Sequence, residues 1–432
     1  MSARTLAALA ARLGPGGLVE EPEAGVWTVA GREPVAVAFP RSAAEVASVL
    51  EHARNAGWGV VPTGAGHELC EGREPARPVV VLSTRRMQEV TVYEPADLTM
   101  TAGAGLTLGD LEARVAGEGQ WLPLDPPSAT TRSLGGAVAR GSAGPLSPMF
   151  GAPRDLVLGL TVVIGDGRVL RVGGRVVKNV AGYDLVRLIV GSRGTLGVIT
   201  SVSLRLFPRP AVDRVLVSRA GDASDLVRPG RAVATARVLP ASAQIVRSEI
   251  SDGSALVVRV VGAPKQVDAD CAVLTGATDG ALQPVDEAEA RVLLDAARDA
   301  GSTGDVRIEV SVRPADVAWA LDLVRELREE PASASTAGGG FACCVLSGAV
   351  RAGWRVEAPG DEAREVELSG ALSDARRRLE ERGGTLTLVR APGSVLREVG
   401  VYGLGRGVAP LMRELKKTFD PEAVLCPGRL GV

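Results

Sequence analysis

Three observations predict an α+β chain of two or more domains. Short valine-rich stretches alternate with helix-period stretches along the whole chain, a texture that calls for sheets with helices packed on them. Glycine is abundant, with 53 residues, and it clusters between residues 57 and 197 in short loops that follow no regular period. Loops of that kind let backbone approach a ligand closely. The third observation is length, since 432 residues exceed what one hydrophobic core usually serves.

The elements follow in order. Met1 to Leu13 reads as a short amphipathic helix, without the long apolar core and cleavage context of a signal peptide. A helix at 42 to 56 is entered through Pro40 and Ser42, carries Val46, Val49, Leu50 and Ala53 on one face, and stops at Gly57. A buried strand at 58 to 62 runs into Thr63-Gly64-Ala65-Gly66-His67, where two glycines permit a tight turn with exposed amides, a candidate anion site. Strands at 78 to 82, 90 to 93 and 99 to 104 precede a helix from Leu108 to Gly117. Residues 122 to 150 are rich in Pro, Ser, Thr and Gly around Leu134, Gly135 and Gly136, and a turn-rich stretch of that length has a ligand or functional reason. Strands at 157 to 164 and 168 to 172 are joined by Gly165-Asp166-Gly167 as a hairpin. A polar and apolar interleaved stretch from Gly174 to Leu185 leads to Gly191 to Gly197 and a strand at 198 to 206, and Pro208 and Pro210 mark a domain boundary.

Beyond that boundary the pattern predicts strands near 212 to 218, 232 to 238, 243 to 249 and 255 to 261, with helices near 264 to 274 and 286 to 300 on one side of a mixed sheet. Strands at 305 to 312, 341 to 347, 353 to 357 and 385 to 389 and helices at 314 to 329 and 361 to 382 complete a ferredoxin-like α+β arrangement. A last helix spans Pro410 to Thr418.

Composition narrows the function classes. A formal net charge of -2 lacks the positive surplus that gathers phosphates along a duplex, which argues against a nucleic-acid partner. The five cysteines, at 70, 271, 343, 344 and 426, show no repeated CxxC spacing, so neither a disulfide framework nor a local iron–sulfur or metal site is expected. No stretch of about 18 apolar residues occurs, and the expected location is cytoplasmic, with membrane association only through partners. Neither glycine loop reads as a dinucleotide GxGxxG or a P-loop, so spacing alone leaves a phosphate-containing cofactor and a pair of solvent turns both open.

The run from Gly174 to Phe207, GRVVKNVAGYDLVRLIVGSRGTLGVITSVSLRLF, resembles the flavin-binding domain of the vanillyl-alcohol oxidase and p-cresol methylhydroxylase (PCMH-type) superfamily. With VVPTGAGHEL, DPPSATTRSLGG and LMRELKKTFDP added, the chain from 32 to 430 is most similar to the smaller, FAD-binding subunits of bacterial glycolate oxidases. The resemblance implies a lead-in at 1–31, a two-lobed FAD-binding domain at 32–209, an α+β cap domain at 210–404, and a segment at 405–432 that returns to the FAD domain. It implies noncovalent FAD, with the diphosphate on the loops Pro62, Thr63, Gly64, Ala65, Gly66, His67 and Pro127, Ser128, Thr130, Thr131, Leu134, Gly135, Gly136. Gly141, Ser142 and Gly144 would line the flavin, and Gly197, Val198 and Ile199 would meet the nucleotide through main chain. Apart from the resemblance, Lys178, Asn179, Tyr183 and Asp184 form the densest polar constellation of the chain, one that suits orienting the cofactor, meeting a partner or closing a packed, hydrogen-bonded turn equally well. The chain departs from the family pattern at Gly141-Ser142, where asparagine is common, and at Cys426, where the ending usually reads Asn-Pro-Gly.

Catalytic residues are not evident. Oxidising a 2-hydroxy acid calls for a base near the hydroxyl, and histidine is the usual one, yet only His52 and His67 exist and residues 210 to 432 contain none. His52 reads as a helix residue and His67 as part of the phosphate loop, which favours an electron-transferring accessory subunit. The resemblance supplies its partners, a larger catalytic flavoprotein subunit and an iron–sulfur subunit. Two alternatives remain: an autonomous dehydrogenase gripping a carboxylate through Arg307, Arg390 or Tyr402 with Tyr183 or a carboxylate as base, and a scaffold without cofactor.

Overall fold

The computed structural model describes residues 2–20, 22–23, 25–174, 183–248, 253–329, 339–356, 360–403 and 407–429. Its N-terminal half has two lobes. In the first, strands run in the order Leu18–Val19, Ala36–Ala38, Val79–Ser83, Gly59–Thr63, and Val79–Ser83 pairs in parallel with the strands on both sides. Helix Ala43–Asn55 starts at Ser42, whose side chain accepts from the Glu45 amide at 3.2 Å. It buries Val46, Val49, Leu50 and Ala53, the stripe its period indicated, in one core with Val60, Val80 and Leu82.

The second lobe is a five-stranded antiparallel sheet ordered Val90–Glu94, Thr99–Gly103, Val198–Arg205, Val157–Val163, Val169–Gly173. The turn-rich stretch contains an unexpected helix, Leu134–Arg140, packed on Val198–Arg205. Its signal was present: Leu134, Ala137 and Val138 recur at helical spacing and are fully buried, but the two glycines masked it. Residues 147–150 and 153–156 add two single helical turns.

The C-terminal half is one eight-stranded antiparallel sheet. It consists of two β-α-β-β-α-β units joined edge to edge by the pairing of Ser242–Arg247 with Gly340–Cys344. Three expectations are corrected here. The sheet is not mixed, because each of its strand pairs is antiparallel. Residues 232 to 238 do not form a strand; Val227–Thr235 is a helix, and Gly230 and Val233 face inward. The helices are not all on one side either, because Glu287–Asp299 lies on the opposite face, where Ala297 packs with Val215, Val246 and Val257.

Strand alternation divides this sheet into two surfaces. Ile245, Ile308, Val310, Cys343, Val350, Ala352, Leu386 and Leu388 point into the helix-covered core. Their neighbours Gln244, Arg307, Glu309, Ser311, Cys344, Arg351, Thr385 and Thr387 point to cavities shared with the N-terminal lobes.

After helix Val408–Phe419 the chain lies along the first lobe. Leu425 bridges Val60, and the Cys426 amide donates to the Val60 carbonyl at 2.8 Å. The buried carboxylate of Asp420 accepts from the amides of Val424 at 2.9 Å and Leu425 at 2.8 Å and pairs with Lys416 at 2.6 Å. Cys426 has φ 44°, in the left-handed region that asparagine tolerates far better than most side chains. Its thiol lies 3.6 Å from the Arg193 carbonyl, within reach of an amide donor. Cys426→Asn is therefore expected to stabilise the protein by about 0.5–1 kcal/mol. A lower denaturant midpoint for the variant would contradict this.

Candidate functional site

Three loops converge on a cleft in the N-terminal half. The end of strand Gly59–Thr63 brings Pro62, Thr63 and Gly64; the start of helix Leu134–Arg140 brings Gly135 and Gly136; the start of strand Val198–Arg205 brings Gly197, Val198 and Ile199. The walls are largely main chain, and they have to be. A Cβ on Gly64 would stand 1.7 Å from Ser133 Oγ and 2.5 Å from Ser133 Cβ, and one on Gly135 would stand 2.6 Å from Ala104 Cβ. Ser133 is itself fixed as the helix cap, accepting from the Gly136 amide at 3.2 Å, and Ser83 Oγ donates to the Gly64 carbonyl at 2.8 Å. A rigid backbone cradle with polar rims is the surface a dinucleotide with a flat ring requires, so these residues fit FAD.

The other expected residues lie elsewhere. His67, Pro127, Ser128 and Ser142 open onto a second cavity, of about 230 Å³, between the N-terminal lobes and the C-terminal sheet. Gly141 and Gly144 line a third, of about 320 Å³, together with Pro127 and Ser142. Thr130 and Thr131 are exposed, Ala65 is exposed and Gly66 partly buried in the loop, and Leu134 is sealed in the lobe core. Tyr183 is 96% exposed and lines none of these cavities. Lys178 and Asn179 lie outside the described residues. One expectation changes: His67, read as phosphate-loop only, faces the interdomain cavity, with its Nε2 3.3 Å from Thr131 Oγ1. His52 stays remote, its Nδ1 2.7 Å from the Ser48 carbonyl on helix Ala43–Asn55.

An ion network that no local sequence signal announces lies between these spaces, with Glu68, Glu71 and Arg140 lining both the cleft and the second cavity. Glu71 sits between Arg140 at 2.8 Å and Arg193 at 3.0 Å, and Arg140 also reaches Glu309 on the C-terminal sheet at 2.8 Å. Burial alone would raise the Glu71 carboxyl, but Arg140, Arg193, Arg429 and Arg307 override it and hold it at about 2. Burial likewise opposes ionisation of Glu309, and Arg140 and Arg193 again win, keeping it below its usual range. Glu68 pairs with Arg132. The signal that could have exposed the network is alternation: Arg307, Glu309 and Ser311 repeat every second residue, a pattern equally suited to a solvent face.

Asp125 marks the other side of the interface. Its Oδ1 accepts from the Leu146 amide at 3.1 Å, and burial pushes the carboxyl up to about 7 against the lowering pull of that amide and of Arg259 and Arg298. A raised folded value means stability that is full below the ordinary value of 3.8 and is lost as pH rises through about 7. Asp125→Asn keeps the acceptor and should remove that loss, leaving the variant about 1–2 kcal/mol more stable than the parent at pH 8. Parallel stability–pH profiles for the two proteins between pH 5 and 8 would reject this.

Among the described residues no helix is long and apolar enough to cross a membrane, and no group of His, Cys, Asp and Glu is placed to hold a metal.

The FAD binding domain family matches residues 34–173. Glycolate oxidase subunit GlcE of Escherichia coli (strain K12) is 47% identical over 137 residues, covering 31% of this chain and 39% of that protein. Glycolate oxidase subunit GlcD of Bacillus subtilis (strain 168) is 32% identical over 213 residues, covering 49% and 45%. D-lactate dehydrogenase of Archaeoglobus fulgidus is 38% identical over 173 residues, covering 40% and 39%. The chain thus spans less than half the length of each of these relatives. Its fold extends further, since p-cresol methylhydroxylase superposes with a TM-score of 0.76 at 16% identity, covering 100% of this chain and 97% of that one. Residues 34–173 of this chain are thus an FAD-binding domain, related in sequence to 2-hydroxy acid oxidases and dehydrogenases, and the chain shares the fold of p-cresol methylhydroxylase.

Proposed function

We propose that this chain is the FAD-binding, electron-transferring accessory subunit of a glycolate, or similar 2-hydroxy acid, oxidase complex, and that it holds FAD noncovalently. Pro62, Thr63, Gly64, Gly135 and Gly136 hold the diphosphate, Gly197–Ile199 the nucleotide, and Gly141, Ser142 and Gly144, on the neighbouring cavities, border the flavin. Bound FAD would take up a hydride or electron pair and pass electrons on. A larger catalytic flavoprotein subunit and an iron–sulfur subunit complete the complex, which lies in the cytoplasm, and the two β-α-β-β-α-β units are ferredoxin-like.

The observation that carries this reading is the state of the acids beside the cleft. Glu68, Glu71 and Glu309 are all engaged by arginines, and a carboxylate held at about 2, as Glu71 is, accepts a proton poorly at neutral pH. Tyr402 is pushed up by burial and keeps its proton. Noncovalent attachment is supported by the position of His67, which faces the interdomain cavity and not the cofactor cleft.

His67 and Arg307 line that same cavity, and this favours a second reading, an autonomous dehydrogenase with His67 as base. Tyr183 is no candidate for that role because it points to solvent. Anaerobic reduction of bound flavin by D- and L-2-hydroxy acids separates the two. The isolated, FAD-loaded chain is expected to bleach at least tenfold more slowly than the co-purified complex. Bleaching at the rate of the complex, lost in His67→Asn, would establish the second reading instead.

A further inference from the structure

We propose, resting on the FAD reading above, that Glu309 is a positioning residue for the cofactor. From the C-terminal sheet it holds Arg140 at the cleft and offsets its charge, so that this domain sets how readily bound flavin is reduced.

Arg140 stands where three spaces meet, since it lines the cofactor cleft and both interdomain cavities. It ends the helix whose first turn brings Gly135 and Gly136 to the cleft, and it precedes Gly141, which borders the flavin in the reading above. Two carboxylates fix its guanidinium from opposite domains. Its Nε donates to Glu71 at 2.8 Å, and its Nη2 donates at 2.8 Å to Glu309, on strand Val306–Ser311. Glu309 is also 3.8 Å from Arg193. Its cross-strand neighbours are Arg351 on one side and Thr387 on the other, and Glu71 repels it from across the network.

The charges at the cleft lean heavily positive without it. Among the described residues Arg140, Arg193 and Arg429 line the cleft with Glu68 and Glu71, and Glu68 is engaged by Arg132, which lies outside that lining. Glu71 is left to face three guanidinium groups. Glu309 is a second carboxylate for two of them, reaching them from outside the cleft. Uptake of two electrons and one proton leaves reduced flavin one negative charge richer, so charge on the wall shifts that equilibrium. In an enclosed site such charges are weakly screened. Folding gives a weaker reason for the residue, because its side chain is 39% exposed and an ion pair that open contributes little to stability.

Glu309→Gln keeps an acceptor for Arg140 and removes the charge, whereas Glu309→Asp keeps the charge and shortens the side chain. The midpoint potential of flavin in the full-length, FAD-loaded chain is measured by dithionite titration against a reference dye, with the thermal midpoint alongside. Glu309→Gln should favour reduced flavin at least tenfold, a rise of ~30 mV for a two-electron couple, and Glu309→Asp should stay near the parent value. An unchanged or lower potential in Glu309→Gln, whatever its thermal midpoint, would overturn the proposal, as would equal shifts in the two variants. Arg351→Met leaves the Glu309 charge less neutralised and should move the potential the other way. It decides the matter where Glu309→Gln does not fold, an unmoved potential again counting against the proposal. A parent protein that takes up no flavin overturns the FAD reading and this assignment with it; flavin bound at one potential in every variant overturns the assignment alone.

Discussion

Glu71→Ala is expected to lower folding stability by about 3–5 kcal/mol, because it strands two enclosed arginines. The carboxylate is 4% exposed and each of its oxygens is committed, one to Arg140 and one to Arg193. Neither guanidinium can shed its charge, and among the described residues Glu309, at 2.8 Å from Arg140 and 3.8 Å from Arg193, is the remaining ion-pair partner, with Glu68 acting on Arg140 from further away. The pH dependence gives a second readout. A folded value lowered from 4.5 to about 2 supplies stability that is complete above pH 4.5 and disappears as pH falls towards 2. That interval corresponds to roughly 3 kcal/mol. Denaturant titrations at pH 7 and pH 3 should therefore show a wide gap between parent and variant at neutrality and a narrow one in acid. A variant within 1 kcal/mol of the parent at pH 7 would refute the account.

Gly64→Val should weaken FAD binding by at least about 100-fold, equivalent to ~3 kcal/mol. The new Cβ would overlap Ser133, whose Oγ is 1.7 Å and Cβ 2.5 Å away. Rotating the Ser133 hydroxyl removes the cap of helix Leu134–Arg140 and still leaves the Cβ in the way. Loop and helix must part, and the cleft they form loses its shape. Gly135→Val acts on the same cleft through Ala104, whose Cβ and carbonyl oxygen would be 2.6 Å and 3.0 Å away. Gly117→Ala is the control, because a Cβ there meets nothing within 4 Å. Flavin retention after gel filtration distinguishes them; unchanged affinity in both valine variants would remove these loops from the cofactor site.

The elements that were legible from sequence owe it to strong local signals. Helix Ala43–Asn55 has a cap and an apolar stripe, and the hairpin of Val157–Val163 and Val169–Gly173 has a glycine-flanked turn between valine runs. The glycine turns that meet at the cleft were legible because glycine is needed wherever backbone must come close, as at Gly64 and Gly135. Helix Leu134–Arg140 was not, since Gly135 and Gly136 lower helix propensity and tertiary packing outweighs it. Residues 232 to 238 read as a strand because Val233 and Val238 carry β-propensity, but Val233 lies on the buried face of helix Val227–Thr235 instead. The ion network was the least visible part. Glu71, Arg140, Arg193 and Glu309 come from four separate segments, and a single sequence holds no local trace of which distant charges will meet.

The alternation along the C-terminal strands has a consequence for how such a protein can change over time. Every second side chain carries the stability of the domain, while the intervening ones, Gln244, Ser311, Cys344, Thr385 and Thr387, only decorate the wall of a cavity. Replacing one of the latter alters the polarity and size of that cavity and leaves the apolar layer one residue away in place. The lining of this cavity is therefore free to drift, or to be engineered, in small steps that each leave the domain folded.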